Sequence, residues 1–167
     1  MSMGCCHMDP ASVNDASPKA SLGGLYTFDS NYASNTTPTG IYRYVQIKDL
    51  AVIDGDVCCA DAESGTSITK ATQDRSADLL SNAACGVAVG AITADYYGYL
   101  LVRGRHDAVM TDGSVATGDP LVPSATTDGA AHTATVTATG TDIEYVFGVA
   151  LEGDTSTTYA SADINCL

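Results

Sequence analysis

The sequence predicts an all-β protein: a compact β-barrel or sandwich body, built from two related β units, carrying an extended N-terminal arm. Three observations lead there. Apolar stretches are short and bounded by turn residues, with turn signals every 8 to 12 residues and no sustained helical period. Glycines interrupt the apolar runs too often for a stable helix; Gly86, Gly90, Gly98 and Gly104 all fall within residues 84–104. Ala, Thr, Ser and Gly are abundant, Trp is absent and only two Phe occur, a composition that suits thin β structure over a thick helical core. At 167 residues the chain has room for one domain with an arm, or for two small related lobes.

Residues 1–39 are rich in Ser, Asn, Pro, Gly and Thr, with one apolar cluster, Leu22-Gly-Gly-Leu25-Tyr26-Thr-Phe28. They read as an extended arm that becomes ordered against a neighbour. Ile41 to Ile47 alternates, with Ile41, Arg43, Val45 and Ile47 on one side and Tyr42, Tyr44 and Gln46 on the other. The arginine on its aliphatic side predicts a strand near a sheet edge. Leu50 to Ile53 and Val57 to Ala60 are apolar and flank the turn Asp54-Gly55-Asp56. A short strand is expected within 67–72, and residues 73–83 fit either a helical turn or a polar loop.

Val87–Ile92 and Tyr99–Val102, joined by Thr93-Ala94-Asp95, make the strongest hairpin signal in the chain. Asp107–Met110 and the turn at 111–114 follow. Pro120 and Pro123 argue against a central strand between them. His132–Thr139 alternates small apolar residues with threonine, and the apolar stretches 143–151 and 159–164 close the chain.

An internal repeat is legible. Gly55-Asp56 precedes Gly86-Val87-Ala88 by 31 positions, and Gly118-Asp119 precedes Gly148-Val149-Ala150 by 30. From Gly86 to Tyr97 and from Gly148 to Tyr159 the distance is 11 in each case. Two β units, at about 50–104 and 114–167 within a body of 40–167, are therefore expected.

The formal charge of −13, with seven basic residues scattered along the chain, disfavours nucleic acid and an anionic membrane as partners. It suits a partner with a basic or polar face. No apolar run approaches a membrane span, and the start lacks the basic and apolar regions of a secretory signal, so reduced thiols are expected for the six cysteines.

A search for catalysis returns little. His106 beside Asp107 is the one candidate oriented base, but neighbours along a strand point to opposite faces, and a surface histidine is expected. Cys5-Cys6-His7 and Cys58-Cys59 lack zinc-knuckle spacing, and Asp54-Gly55-Asp56 lacks the remaining ligands of a calcium loop. No phosphate-cradling glycine loop is present, so the expectation is no metal, no cofactor and no enzyme activity.

The order Tyr44-Val45, Gly55-Asp56, Gly86-Val87-Ala88, then Tyr97-Gly98-Tyr99-Leu100-Leu101-Val102-Arg103-Gly104 resembles small structural proteins of tailed bacteriophage heads. The continuation, Gly118-Asp119-Pro120-Leu121 and Phe147-Gly148-Val149-Ala150, fits the same pattern, so the resemblance covers residues 40–167. It implies a head decoration, or cement, protein: made in the host cytoplasm, bound to the exterior of the capsid through the major capsid protein, and tying capsomers together. Such proteins are not enzymes and associate as homotrimers or dimers. Under this reading Leu22, Leu25, Tyr26 and Phe28 are the arm's capsid anchors, and Tyr42, Tyr44, Tyr96 and Tyr97 are candidate interface residues. The competing reading is a surface-displayed or secreted β adhesin or carbohydrate-binding module with disulfides.

Overall fold

Strand-forming residues alternate with tight turns along the described residues. The computed structural model describes residues 9–28, 38–64, 67–74, 79–113, 115–135, 145–153 and 158–167, with 79–82 described by backbone alone. Cys5-Cys6-His7 and arm residues 29–37 lie outside them. The strands are β1 (Leu25–Phe28), β2 (Gly40–Ile47), β3 (Val57–Asp61), β4 (Lys70–Thr72), β5 (Leu79–Ala88), β6 (Tyr97–Met110), β7 (Pro120–Pro123), β8 (Ala131–Thr133), β9 (Gly148–Ala150) and β10 (Tyr159–Asn165). Two single 3-10 turns, Pro10–Ser12 and Ala62–Ser64, are the helical elements among the described residues. None is long and apolar enough to cross a membrane. The fold is all-β, and residues 73–83, left open between helical turn and loop, lead into β5.

Pairing closes on itself twice. The first circuit runs β2–β4–β3–β5–β6 and returns to β2 through seven antiparallel residue pairs between β2 and β6. The second runs β6–β10–β9–β7–β8, and the parallel bridge Thr111–Ala131 brings it back to the end of β6. The fourteen-residue β6 serves both, its first half as the last strand of one ring and its second half as the first strand of the next.

Several backbone hydrogen bonds of the two rings correspond. Ile47 N–H donates to Tyr96 O at 2.8 Å, and Thr111 N–H to Thr158 O at 3.1 Å. Lys48 N–H donates to Ala71 O, as Asp112 N–H does to Ala131 O. Gly55 N–H donates to Ala88 O and Ala88 N–H to Asp56 O, matched by Gly118 to Ala150 and Ala150 to Asp119. Each ring thus uses the strand before it, β2 for the first and β6 for the second.

Two expectations about strand position are corrected. β2 is not at an edge: β1 and β4 pair on one side and β6 on the other. Arg43 is accommodated because its Nη1 donates to Cys85 O at 3.1 Å. β7 is central in its ring despite two prolines, pairing with both β8 and β9. Pro120 and Pro123 occupy its first and last positions, where a missing N–H interrupts least, and Pro120 O still accepts from Ala134 N–H.

The first ring is filled by Val45, Ile47, Val52, Cys58, Ala60, Ala71, Cys85, Ala88, Ile92 and Leu100. A second cluster joins Val109, Val115, Leu121, Ala131, Phe147 and Ile164 to the aromatic residues on the outer face of the first ring, so both units share one apolar body.

Candidate functional site

Residues 9–28 of the expected arm lie on the body. Asp9 caps the first 3-10 turn through Oδ1, which accepts from Ala11 N–H, and Val13 is buried. Asp15 exchanges backbone hydrogen bonds with Tyr97, both at 2.9 Å, and Asn14 bonds Thr93 twice. The hydroxyl of Tyr44 then acts as a bolt, donating to Asp15 Oδ2 at 2.8 Å and accepting from Lys19 N–H at 3.1 Å. Burial pushes the Tyr44 hydroxyl up to about 12, the Lys19 N–H opposes that, and the Asp15 carboxylate adds to it, so the phenol stays a donor.

The strand that follows divides its own side chains. Tyr26 and Phe28 turn inward: Phe28 meets Tyr42 edge-on at 5.3 Å and Tyr99 at 5.1 Å, and Tyr26 meets Tyr99 at 5.5 Å. Leu25 and Thr27 turn outward, leaving Leu25 51% exposed and Leu22 just before it 38% exposed. Of the four arm anchors, Tyr26 and Phe28 therefore fasten the arm to its own body, and Leu22 and Leu25 face solvent.

The candidate interface tyrosines separate in the same way. Tyr42 and Tyr44 are fully buried, not at a surface: Phe28 of the neighbouring β1 packs on Tyr42, and Asp15 and Lys19 meet the Tyr44 hydroxyl. Tyr42 donates to Pro38 O, and burial first, with the Asp9 charge second, raises its hydroxyl far above the ordinary tyrosine range. Tyr96 and Tyr97 are partly buried, Tyr97 stacked on Tyr44 at 6.3 Å.

The polar clusters are structural in their geometry. His106, expected at the surface, is buried: its Nδ1 accepts from Ala108 N–H at 3.1 Å, which leaves Nε2 as the donor to Asp54 Oδ1 at 3.2 Å. Asp107 points the other way and pairs with Arg105. Ser124, Asp112 and His132 converge, but the carboxylate sits in the middle: Oδ2 accepts from the Ser124 hydroxyl and Oδ1 faces His132 Nδ1 at 2.7 Å. A serine nucleophile needs the histidine between itself and the carboxylate. Here the Ser124 oxygen instead accepts Thr126 and Thr127 N–H groups and closes a turn.

Cys58, Cys59, Cys85 and Cys166 are unbridged. Burial raises the thiols of Cys58 and Cys85 well above the usual range and that of Cys166 to about 12, so each is a packed thiol and not a nucleophile. Among the described residues no group of three or more His, Cys, Asp or Glu side chains could hold a metal ion. A shallow cleft of about 160 Å³ beside Ala84, Phe147 and Cys166 is smaller than ordinary ligand pockets.

What the fold leaves available is a strand edge. The two closed circuits give each of β2 to β10 a partner on both sides at some point, for β5 only at Val87 and Ala88 beside β6 and for β8 only at the Thr111–Ala131 bridge. By contrast, β1 has a partner on one side alone among the described residues. Because Tyr44 N–H donates to Gly24 O, the ladder alternation turns the N–H and C=O groups of Leu25 and Thr27 away from β2. This edge carries no charge, proline or bulge, the devices that usually blunt one. The four letters Leu-Tyr-Thr-Phe announced an apolar cluster; which of its residues would face outward depended on pairing with β2.

No family model matches this chain, and no curated protein matches it. The head fiber gp8.5 N base of bacteriophage phi29 is a similar solved structure, with a TM-score of 0.49 and 18% identity, covering 74% of this chain and 92% of that one. At that score and identity the likeness brings neither family nor function to this chain.

Proposed function

We propose that this chain is a structural protein of a tailed-phage virion, bound to the outside of the head, where it ties neighbouring shell subunits together. The observation that carries the reading is the uncharged outer edge of β1, which has no strand partner among the described residues and lies beside the exposed Leu22 and Leu25. An edge of this kind offers directional backbone bonds, and two exposed leucines offer apolar contact at the same place. The motif order from Tyr44 to Gly104, repeated in outline to Ala150, supports a phage-head setting through its resemblance to such proteins. Many modest contacts repeated over a symmetric shell sum to firm attachment, so no single deep site is required. A charge of −13 suits the exterior of a particle whose interior is packed with polyanion.

The test is co-sedimentation of the full chain with purified heads. Wild type should pellet with the heads, and Leu22→Ser/Leu25→Lys should lower occupancy at least about tenfold, a change of roughly 1.4 kcal/mol. Both side chains face solvent, so thermal unfolding of the variant should match wild type. Wild type that never pellets would remove the head-binding role; equal pelleting by the variant would remove the β1 edge from it.

A further inference from the structure

The repeat allows each surface of one unit to be compared with its counterpart in the other. On the first ring Val57, Val87 and Val89 point outward, away from Cys58, Cys85 and Ala88 inside. They are nonetheless buried, at 3%, 0% and 5% exposure. The cover comes from the second unit, whose β7 lies against β3 and β5, and from the strap at Ala11 and Val13. Val57 N–H donates to Gly129 O at 2.7 Å across the same junction.

Moving 62 positions along the chain takes Val87 to Val149 and Val89 to Leu151, and the matching turn takes Val57 to Pro120. Val149 pairs with Pro120 across β9 and β7, so these residues again form one outward face. Among the described residues no such cover lies on this face: Val149 is 41% and Leu151 38% exposed, and Pro120 is exposed as well. The turn beneath tells the same story. A Cβ on Gly55 would lie 2.0 Å from Ala108 O, whereas one on Gly118 meets nothing within 4 Å. The carbonyl of Gly55 accepts Met110 N–H from the second unit, a bond that joins the units.

We propose that this face of the second unit, centred on Val149, Leu151 and Pro120, packs against a second copy of this chain. The argument for that occupant is continuity with the interface already formed: the equivalent face of the first unit seats a unit of this fold, and another copy brings the same fold. The charges beside the patch are Asp163, between Val149 on one side and Arg105 on the other, Glu152, and Asp119 next to Pro120, so carboxylates outnumber the one arginine. Like charges meeting there oppose association, so it should tighten as salt rises.

Sedimentation equilibrium of the full chain, over a range of concentration at low and high salt, tests this. Wild type should associate reversibly, more tightly at high salt, and Val149→Asp/Leu151→Asp should dissociate at least about tenfold more readily. Leu25→Lys, on the distant β1 edge, should associate like wild type. Should the double aspartate variant fail to fold, Leu151→Ser alone supplies the same comparison. A wild type that stays monomeric to millimolar concentration would overturn the proposal, as would a folded variant that associates undiminished. Loss of head binding by the variant with no wild-type association in solution would give the face to the shell protein instead.

Discussion

Three turns of one design show how much a single residue decides. At 53–56, 93–96 and 116–119 the fourth N–H donates to the first carbonyl, and the third residue has positive φ: Gly55 at 91°, Asp95 at 65° and Gly118 at 90°. Glycine is the natural occupant of that position. Asp95 tolerates it while its carboxylate holds Lys48 Nζ at 2.7 Å and its carbonyl accepts from Gln46. Gly55 and Gly118 share a backbone conformation but not surroundings, which separates strain from crowding. Gly118→Ala should cost about 1 kcal/mol, the backbone penalty alone. Gly55→Ala adds a collision with the Ala108 carbonyl and should cost roughly 3 kcal/mol or more, since backbone there must move. Urea unfolding of the two variants checks this; equal losses would mean that the close approach is not rigid.

At the scale of the element, the turn at 53–56 is fastened by a buried carboxylate. Asp56 Oδ2 accepts Ile53 N–H at 2.8 Å, and the side chain lies under the Gly129 turn of the second unit. Burial pushes the Asp56 carboxyl up to about 6, the Ile53 hydrogen bond draws it down, and the charge of Asp54 raises it slightly. A native carboxyl above its unfolded value holds its proton longer in the fold than in the unfolded chain. Stability is therefore full below about pH 4, falls as pH rises towards 6, and is level beyond. Asp56→Asn keeps an oxygen for Ile53 and removes the charge. It should stabilise the protein at pH 8 by on the order of 2 kcal/mol, with the advantage fading below pH 4. Thermal unfolding across pH 3–8 reads this directly, and an unchanged pH profile would count against the assignment. Many strands were legible from alternation and turn chemistry. The expected hairpin strand Val87–Ile92, however, overlaps β5 only at Val87 and Ala88, where β5 meets β6, and most of β5 lies before it in a stretch too polar to signal a strand. Partners were not legible. Tyr42 and Tyr44 looked like contact residues because alternation gives a face without saying what covers it; Phe28 packs on Tyr42, and the segment of Asp15 and Lys19 closes over Tyr44. Asp15, which meets Tyr44 across 29 positions, carried no local signal at all.

The whole molecule is two rings strung on a spine of antiparallel strands, β1, β2, β6 and β10, and β6 belongs to both. The Gly-Asp and Gly-Val-Ala spacing carried no sign of the joint, since a shared strand cannot be assigned to one copy by sequence alone. That joint sets the thermodynamics. Unfolding either ring strips β6 of one neighbour, breaks Val57 N–H to Gly129 O and Met110 N–H to Gly55 O, and opens the apolar cluster that holds Val57 and Val87 with Leu121 and Ala131. The first ring has a core of its own, but the larger apolar cluster is closed only when both halves are in place, so the described body should unfold in one transition. The aromatic residues provide a local probe: Tyr42, Tyr44, Tyr97 and Tyr99 gather on the outer face of the first ring, while strand content reports both rings. Near-ultraviolet and far-ultraviolet circular dichroism should therefore trace coincident urea curves. A tyrosine signal that persists after part of the strand signal is lost would show the first ring standing alone, and the two units would then be lobes joined by a strand, not one cooperative body.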